Sequence, residues 1–248
     1  MNNTNIYCID RQINFRGKPP EPLLANQIAV FCVNLKNVVL QDDLVNLLPQ
    51  NAIDKSRRFH KVADSKAYLT GQILSRKVLS IYNYCNINNI AFTTGRNNKP
   101  ELSSDFQGAV RYFNISHTTD FLCVALGMAP VGIDVEALKP FDYKLFMQDN
   151  YTEKEQAAVI QSENSLHTFY KIWTRKEAVL KMNGIGLIDD LKQIDVSASI
   201  GYMAVEALAT ATPYYITSFY IADQWVGSVC NNAENWQEVL FYDDSVLL

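Results

Sequence analysis

Two short stretches constrain this chain more than any other: Val131-Gly132-Ile133-Asp134-Val135-Glu136 and, further along, Trp173-Thr174-Arg175-Lys176-Glu177-Ala178-Val179-Leu180-Lys181. If the first is a strand, side chains alternate across it, so Asp134 and Glu136 share a face while Val135 turns to the core. If the second is a helix, Phe169, Trp173, Lys176, Ala178 and Leu180 pack around it, and Glu177 and Lys181 stand one turn apart on a common face. Together they predict one site with three carboxylates and a lysine, a set suited to a divalent cation on a pyrophosphate. Clustered carboxylates need a cation before they can approach phosphate oxygens. Magnesium takes hard oxygen ligands and fills its shell with water and phosphate. Taken singly, Asp134 and Glu136 also read as a solvated strand face, and Glu177 with Lys181 as a helical pair worth about 0.2–0.5 kcal/mol.

The rest of the chain bounds the partners. It has 248 residues, 48% hydrophobic and 19% charged, enough for one large or two small globular units. A net charge of −4 supplies no field for nucleic acid or an anionic membrane surface, so neither is an expected partner. The five cysteines (Cys8, Cys32, Cys85, Cys123, Cys230) form no C-x-x-C pair and read as reduced, buried thiols. The start of the chain lacks a charged segment followed by an apolar run, and the longest apolar runs are too short for a bilayer, so a cytoplasmic location is expected.

Hydropathy and turn signals predict a buried strand over 28–33 and a short helix capped by Asp42 and Asp43. A longer helix starts at Asp64, with Leu69, Ile73, Val78 and Ile81 at helical spacing. Strands follow at 90–93, 110–116 and 121–126. Gly127 to Pro130 is the predicted boundary between halves at 1–127 and 128–248. The second half repeats the order in outline: the Asp134 strand, helices at 153–161 and 166–182, and strands at 202–208, 214–220 and 225–229. The expected class is α+β, with two similar halves, each a small mainly antiparallel sheet packed with helices. Thr152 to Glu155 reads as a capping box, and Gly184 and Gly186 as the end of a helix.

Cations that suit phosphates lie upstream: Lys55, Arg57 and Arg58, then Lys99 in Asn98-Lys99-Pro100, then His117 at the end of Phe113-Asn114-Ile115-Ser116-His117. Each has an ordinary reading as a solvated or turn residue. Ser116 beside His117 does not make a hydrolase, because neighbouring strand residues project oppositely and no G-x-S-x-G elbow is present.

The order of these motifs, from KSRRF through NNKPEL, FNISHT and VGIDVE to FYKIWTRKEAVLKMNGIGL, resembles the two-domain, surfactin-synthetase-activating type of 4'-phosphopantetheinyl transferase. The resemblance spans roughly residues 55–187. It implies two α+β halves with coenzyme A in the cleft between them. It also implies transfer of phosphopantetheine to a serine of an apo acyl or peptidyl carrier protein, with release of adenosine 3',5'-bisphosphate. By matched motif, Asp134, Glu136 and Glu177 would ligate Mg²⁺, with Glu177 a candidate base for the carrier serine, and Lys181 would steady the pyrophosphate. Lys99, Pro100, Ser116 and His117 match coenzyme A contacts, and Lys55 and Arg58 fall near a further phosphate-binding position. Ala67, with Lys66 beside it, replaces an arginine of many relatives, and Asn98 replaces a glycine. A monomer is expected. Arg175, Lys176 and the apolar residues between Phe141 and Tyr151 are candidates for the carrier-facing surface. The readings from other classes are a silent carrier- or nucleotide-binding scaffold and a different Mg²⁺-dependent phosphoryl or nucleotidyl transferase.

Overall fold

A computed structural model describes residues 6–8, 22–186, 188–204, 208, 211–233 and 238–243. The class is α+β. The chain begins with strand β1 (Ile6–Cys8) and strand β2 (Gln27–Asn34), then helices α1 (Asp42–Val45), α2 (Gln50–Ser56) and α3 (Val62–Tyr82). A hairpin of β3 (Phe92–Thr94) and β4 (Pro100–Leu102) leads to β5 (Tyr112–Thr118), β6 (Phe121–Gly127) and β7 (Val131–Ala137). Helices α4 (Lys144–Asn150), α5 (Glu153–Gln161) and α6 (Ser165–Asn183) follow, then β8 (Ile200–Met203), β9 (Thr212–Ile221), β10 (Trp225–Asn231) and β11 (Glu238–Tyr242).

Besides the β3–β4 hairpin, the strands build two larger sheets, ordered β11-β2-β6-β5 and β1-β9-β10-β7, with β8 on β9. They stack face to face, and each carries a helix on its outer side. Strand alternation accounts for this layering. On β2, Ile28, Val30 and Cys32 point between the sheets, while Ala29, Phe31 and Val33 meet Leu74, Val78 and Leu79 of α3. Both faces of β2 are therefore apolar, which is why its sequence shows no alternation. Val131, Ile133 and Val135 of β7 join the central layer, as do Phe219, Trp225 and Phe241. On the far side of the second sheet, Phe169, Val179 and Met182 of α6 pack on Tyr214, Ile216 and Val226.

The sheet topology crosses the predicted 127/128 boundary. The N-terminal β1 pairs with β9 in the second sheet, and the C-terminal β11 pairs in parallel with β2 in the first. Neither end strand was anticipated. Several limits also differ from expectation. Helix α3 starts at Val62, so Asp64 lies in its first turn rather than at its cap. Helix α1 has Gln41 at its cap position with no capping side chain, and Asp42 and Asp43 sit in the first turn, where the helix dipole favours acids. The strand expected at 202–208 is described only as 200–203, and 205–207 lie outside the described residues. The Thr152–Glu155 capping box and the left-handed Gly184 (φ 65°) that ends α6 are as expected. Among the described residues no helix is long and apolar enough to cross a membrane.

Candidate active site

The site forms where the edge strand β5 of one sheet lies against the edge strand β7 of the other. β7 is the last strand of its sheet and β5 the last of the other, and an edge strand leaves a row of N–H groups unpaired. Here alternate side chains of β5 serve as the missing strand. Asn114 Oδ1 accepts from the Ile133 N–H (2.9 Å), Ser116 Oγ from the Val135 N–H (3.3 Å) and Thr118 Oγ1 from the Ala137 N–H (3.3 Å). The same hydroxyls donate onward, Ser116 to Asp134 Oδ1 (2.9 Å) and Thr118 to Glu136 Oε2 (3.2 Å). A period of two on each strand thus brings two carboxylates to one line and fixes their orientation.

Helix α6 supplies the remaining groups because Gly132 lets it approach. A Cβ on Gly132 would lie 2.0 Å from the Ala178 carbonyl oxygen and 2.3 Å from the Met182 nitrogen, both backbone atoms. The helix therefore rests directly on β7, with Glu177 and Lys181 above Asp134. Lys181 Nζ donates to Asp134 Oδ1 at 2.6 Å and to Ser116 Oγ at 3.1 Å. Burial, then the charge of Asp134, then that of Glu136 push the Glu177 carboxyl up to about 7, with Lys181 pulling it back. Burial and Asp134 also raise Glu136, while hydrogen bonds from Thr118 and Trp173 and the Lys181 charge offset them.

These groups suit a hard cation chemically. Asp134 Oδ2 is buried with no hydrogen-bond partner among the described residues, an acceptor whose burial is costly unless something positive meets it. The electrostatic coupling of Asp134, Glu136 and Glu177 puts three oxygen donors in one neighbourhood. Among the described residues no three His, Cys, Asp or Glu side chains already stand in an ion-holding arrangement, and the Lys181 ammonium is the positive charge nearest Asp134. For Asp134, Glu136 and Glu177 to share one cation, their side chains would have to rearrange.

Two cavities lead to this point. One of about 700 Å³ lies between α2, α3 and the β3–β4 hairpin, lined by Lys55, Ala67, Arg76, Asn98, Pro100 and His117 among others. A smaller one of about 300 Å³ is lined by Glu177 and Lys181. Asn98, Pro100 and Ile115 line both, so the two cavities adjoin at this shared wall, with Lys55 and His117 on one side and Glu177 and Lys181 on the other.

The other expected site residues divide. Lys55 is exposed, its ammonium 5.2 Å from the Tyr68 ring centroid. Arg58 is exposed and lines neither cavity. His117 stands at the rim of the larger cavity; partial burial lowers its pKa, Asp64 raises it and Lys181 lowers it again. Ser116 is buried under Asp134 rather than open to a cavity. Pro100 lines both cavities, but the Lys99 ammonium turns inward, to the carbonyls of Lys181, Met182 and Val131.

The carrier-facing role expected of Arg175 and Lys176 is overturned. Arg175 is 3% exposed and donates to Ser218 Oγ, Ser199 Oγ and the Val196 carbonyl. Lys176 is fully buried in an ion pair with Glu155 (2.9 Å) and donates to the Leu191 and Ile194 carbonyls. Both fall on the inner side of α6, where spacing alone cannot separate a paired interior cation from a surface one. Phe141 and Leu145 are exposed, at 48% and 75%. Asn114, Thr118 and Gly132 were missed. Their signals were the N-x-S-x-T alternation on β5 and a glycine two residues before Asp134.

Comparison with known sequences follows the same order along the chain. The family model described as 4'-phosphopantetheinyl transferase, N-terminal, matches residues 41–128, and that of the 4'-phosphopantetheinyl transferase superfamily matches residues 130–230. The chain is 28% identical over 180 residues to the 4'-phosphopantetheinyl transferase Sfp of Bacillus subtilis (strain 168), covering 71% of this chain and 79% of the relative. It is 26% identical over 226 residues to the 4'-phosphopantetheinyl transferase HetI of a Nostoc species, covering 89% and 94%. To the 4'-phosphopantetheinyl transferase AcpT of Escherichia coli (strain K12) it is 28% identical over 147 residues, 54% of this chain and 72% of the relative.

Proposed function

The chain belongs to the 4'-phosphopantetheinyl transferase superfamily, and on that premise we propose that it moves the 4'-phosphopantetheine arm of coenzyme A onto a serine of an apo acyl or peptidyl carrier protein. The products are the holo carrier and adenosine 3',5'-bisphosphate. The observation that carries this reading is the cluster of Asp134, Glu136, Glu177 and Lys181 beside two adjoining cavities, one of them lined by Lys55 and His117.

In this reading the nucleotide end of coenzyme A lies in the larger cavity, with Lys55 and His117 towards its phosphates and the Asn98–Pro100 segment as one wall. Arg58 is exposed nearby and acts on the approaching anion through its charge rather than by contact. The pyrophosphate lies over Asp134. There Asp134, Glu136 and Glu177 would hold Mg²⁺, which when bound offsets the charge of the pyrophosphate and of the departing bisphosphate. Ser116 fixes the Asp134 carboxylate through Oδ1, which leaves the buried Oδ2 without a hydrogen-bond partner among the described residues. Lys181 aims its ammonium at the pyrophosphate oxygens that gain charge as the bridging P–O bond breaks.

A serine hydroxyl becomes an effective nucleophile only as its proton leaves. Glu177, at about 7, is matched to accept that proton near neutral pH, directly or through water. The serine oxygen bonds to the phosphorus on the pantetheine side, and adenosine 3',5'-bisphosphate departs with the bridging oxygen. In this reading the chain acts as a monomer.

Intact-mass spectrometry of an apo carrier domain incubated with the protein, coenzyme A and Mg²⁺ tests the proposal. One added phosphopantetheine on the carrier serine is the expected result. Coenzyme A binding with no mass change across fatty-acid, polyketide and nonribosomal peptide carriers would leave a binding scaffold instead. Nucleotide products other than adenosine 3',5'-bisphosphate would indicate a different phosphoryl or nucleotidyl transferase.

A further inference from the structure

The β3–β4 hairpin belongs to the first half, yet its tip reaches the end of the helix that carries Glu177 and Lys181. Asn97 and Asn98 both adopt left-handed backbone (φ 52° and 61°), a conformation asparagine tolerates better than most residues, and the chain turns so that the Lys99 stem runs inward. Lys99 Nζ donates to the carbonyl oxygens of Lys181 (2.6 Å), Met182 (3.2 Å) and Val131 (3.4 Å). Beside it, Asn97 Nδ2 donates to the Gly184 carbonyl at 3.1 Å. The last carbonyls of a helix lack intrahelical partners and carry the negative end of its dipole, so a cation there is well placed. An ammonium has three protons, and three carbonyls take them all. None is left for a phosphate oxygen unless this arrangement breaks.

Resting on the transfer reaction proposed above, we propose that Lys99 is a positioning residue. It ties the hairpin, the last turn of α6 and the start of β7 at one point. That tie fixes Lys181 and Glu177 relative to the Asn98–Pro100 wall shared by the two cavities. Burial pulls the Lys99 ammonium down to about 8, with Glu101 and Cys230 holding it up, so keeping a lysine here costs stability that an apolar side chain would not. The location matches that cost to a function: two of its three acceptors lie at Lys181 and the residue after it.

The two roles available to Lys99 predict opposite kinetics. A positioning residue acts on the transition state, where a misplacement of about 1 Å costs on the order of 100-fold, and contributes little to ground-state binding. A phosphate contact acts mainly on coenzyme A binding. Lys99→Met is therefore compared with wild type for kcat and for the KM of coenzyme A, per folded enzyme, with binding followed by calorimetry. The expected result is a fall in kcat of roughly 10- to 100-fold with KM changed less than about threefold. Discrimination between coenzyme A and 3'-dephospho-coenzyme A should be unchanged, and Lys99→Arg should restore part of kcat.

A KM effect larger than the kcat effect, with that discrimination narrowed, would overturn the proposal in favour of a direct phosphate contact. Unchanged values of both would overturn it outright. Should Lys99→Met fail to fold, Asn97→Gly, which cuts the tie to Gly184 while keeping the left-handed backbone accessible, decides by the same kcat-against-KM comparison with a smaller expected fall. A wild-type protein that transfers nothing would refute the reaction itself, which separates that failure from this one.

Discussion

Glu177 carries the most readable pH dependence in the molecule. Its carboxyl is raised from 4.5 to about 7, so the folded state without metal binds that proton more tightly than the unfolded chain does. The resulting stabilisation is full below the unfolded value and is lost as pH rises to about 7. Glu177→Gln removes the need to hold a buried carboxylate beside Asp134 and Glu136. In thermal unfolding without divalent ions, we expect Glu177→Gln to exceed wild type at pH 8 by about 1–2 kcal/mol, a few degrees in midpoint, with the gap closing towards pH 5. A variant less stable than wild type at pH 8 would contradict this. Activity should run the other way, rising through about pH 7 as Glu177 ionises, with the limb moving to lower pH as Mg²⁺ is raised. Individual residues were legible where a spacing rule governs them. Asp134 with Glu136 follows from a period of two, and Glu177 with Lys181 from one helical turn. Arg175 and Lys176 were misread because their charge says nothing about which carbonyls and acids meet them after folding.

At the level of elements, the site depends on how closely α6 lies on β7, and Gly132 sets that distance. Gly132→Ala puts a methyl against two backbone atoms, which cannot rotate away as a side chain would. The helix must lift, and Lys181 must lose its 2.6 Å contact with Asp134. The expected cost is about 3 kcal/mol or more, at the upper end for overpacking, with transfer activity falling further than stability. A midpoint within a degree of wild type would show that the helix gives way easily. Most element types were legible because their signals are local: the Thr152–Glu155 box, Gly184 beyond α6, and the apolar run of β2. The use of Glu155 was not. Beyond capping α5, its carboxylate pairs with Lys176 and accepts from the Val196 N–H (2.8 Å), contacts from well outside the capping-box residues.

Across the whole molecule, the two halves are tied by exchanged end strands and a shared central layer. Tyr242 of β11 stacks on Phe31 (centroids 4.7 Å apart) and meets the Tyr82 hydroxyl at 3.1 Å, while Phe241 enters the layer between the sheets. The pairing of β11 with β2 links residues 211 positions apart, which no local pattern encodes. Fragments 1–127 and 128–248 are each expected to lack dispersed amide spectra alone, and the intact chain to unfold in one transition. A fragment that folds by itself would make 127/128 a limit of independent folding.

The most direct test of the central claim is the intact mass of an apo carrier domain after incubation with coenzyme A and Mg²⁺, run in parallel with wild type, Asp134→Ala and Glu177→Ala. The expected result is one phosphopantetheine added by wild type and, at equal time, at least roughly 100-fold less by either variant, each still folded. Near-normal transfer by both variants would contradict the assignment of these carboxylates, and no transfer by wild type to any carrier would contradict the reaction.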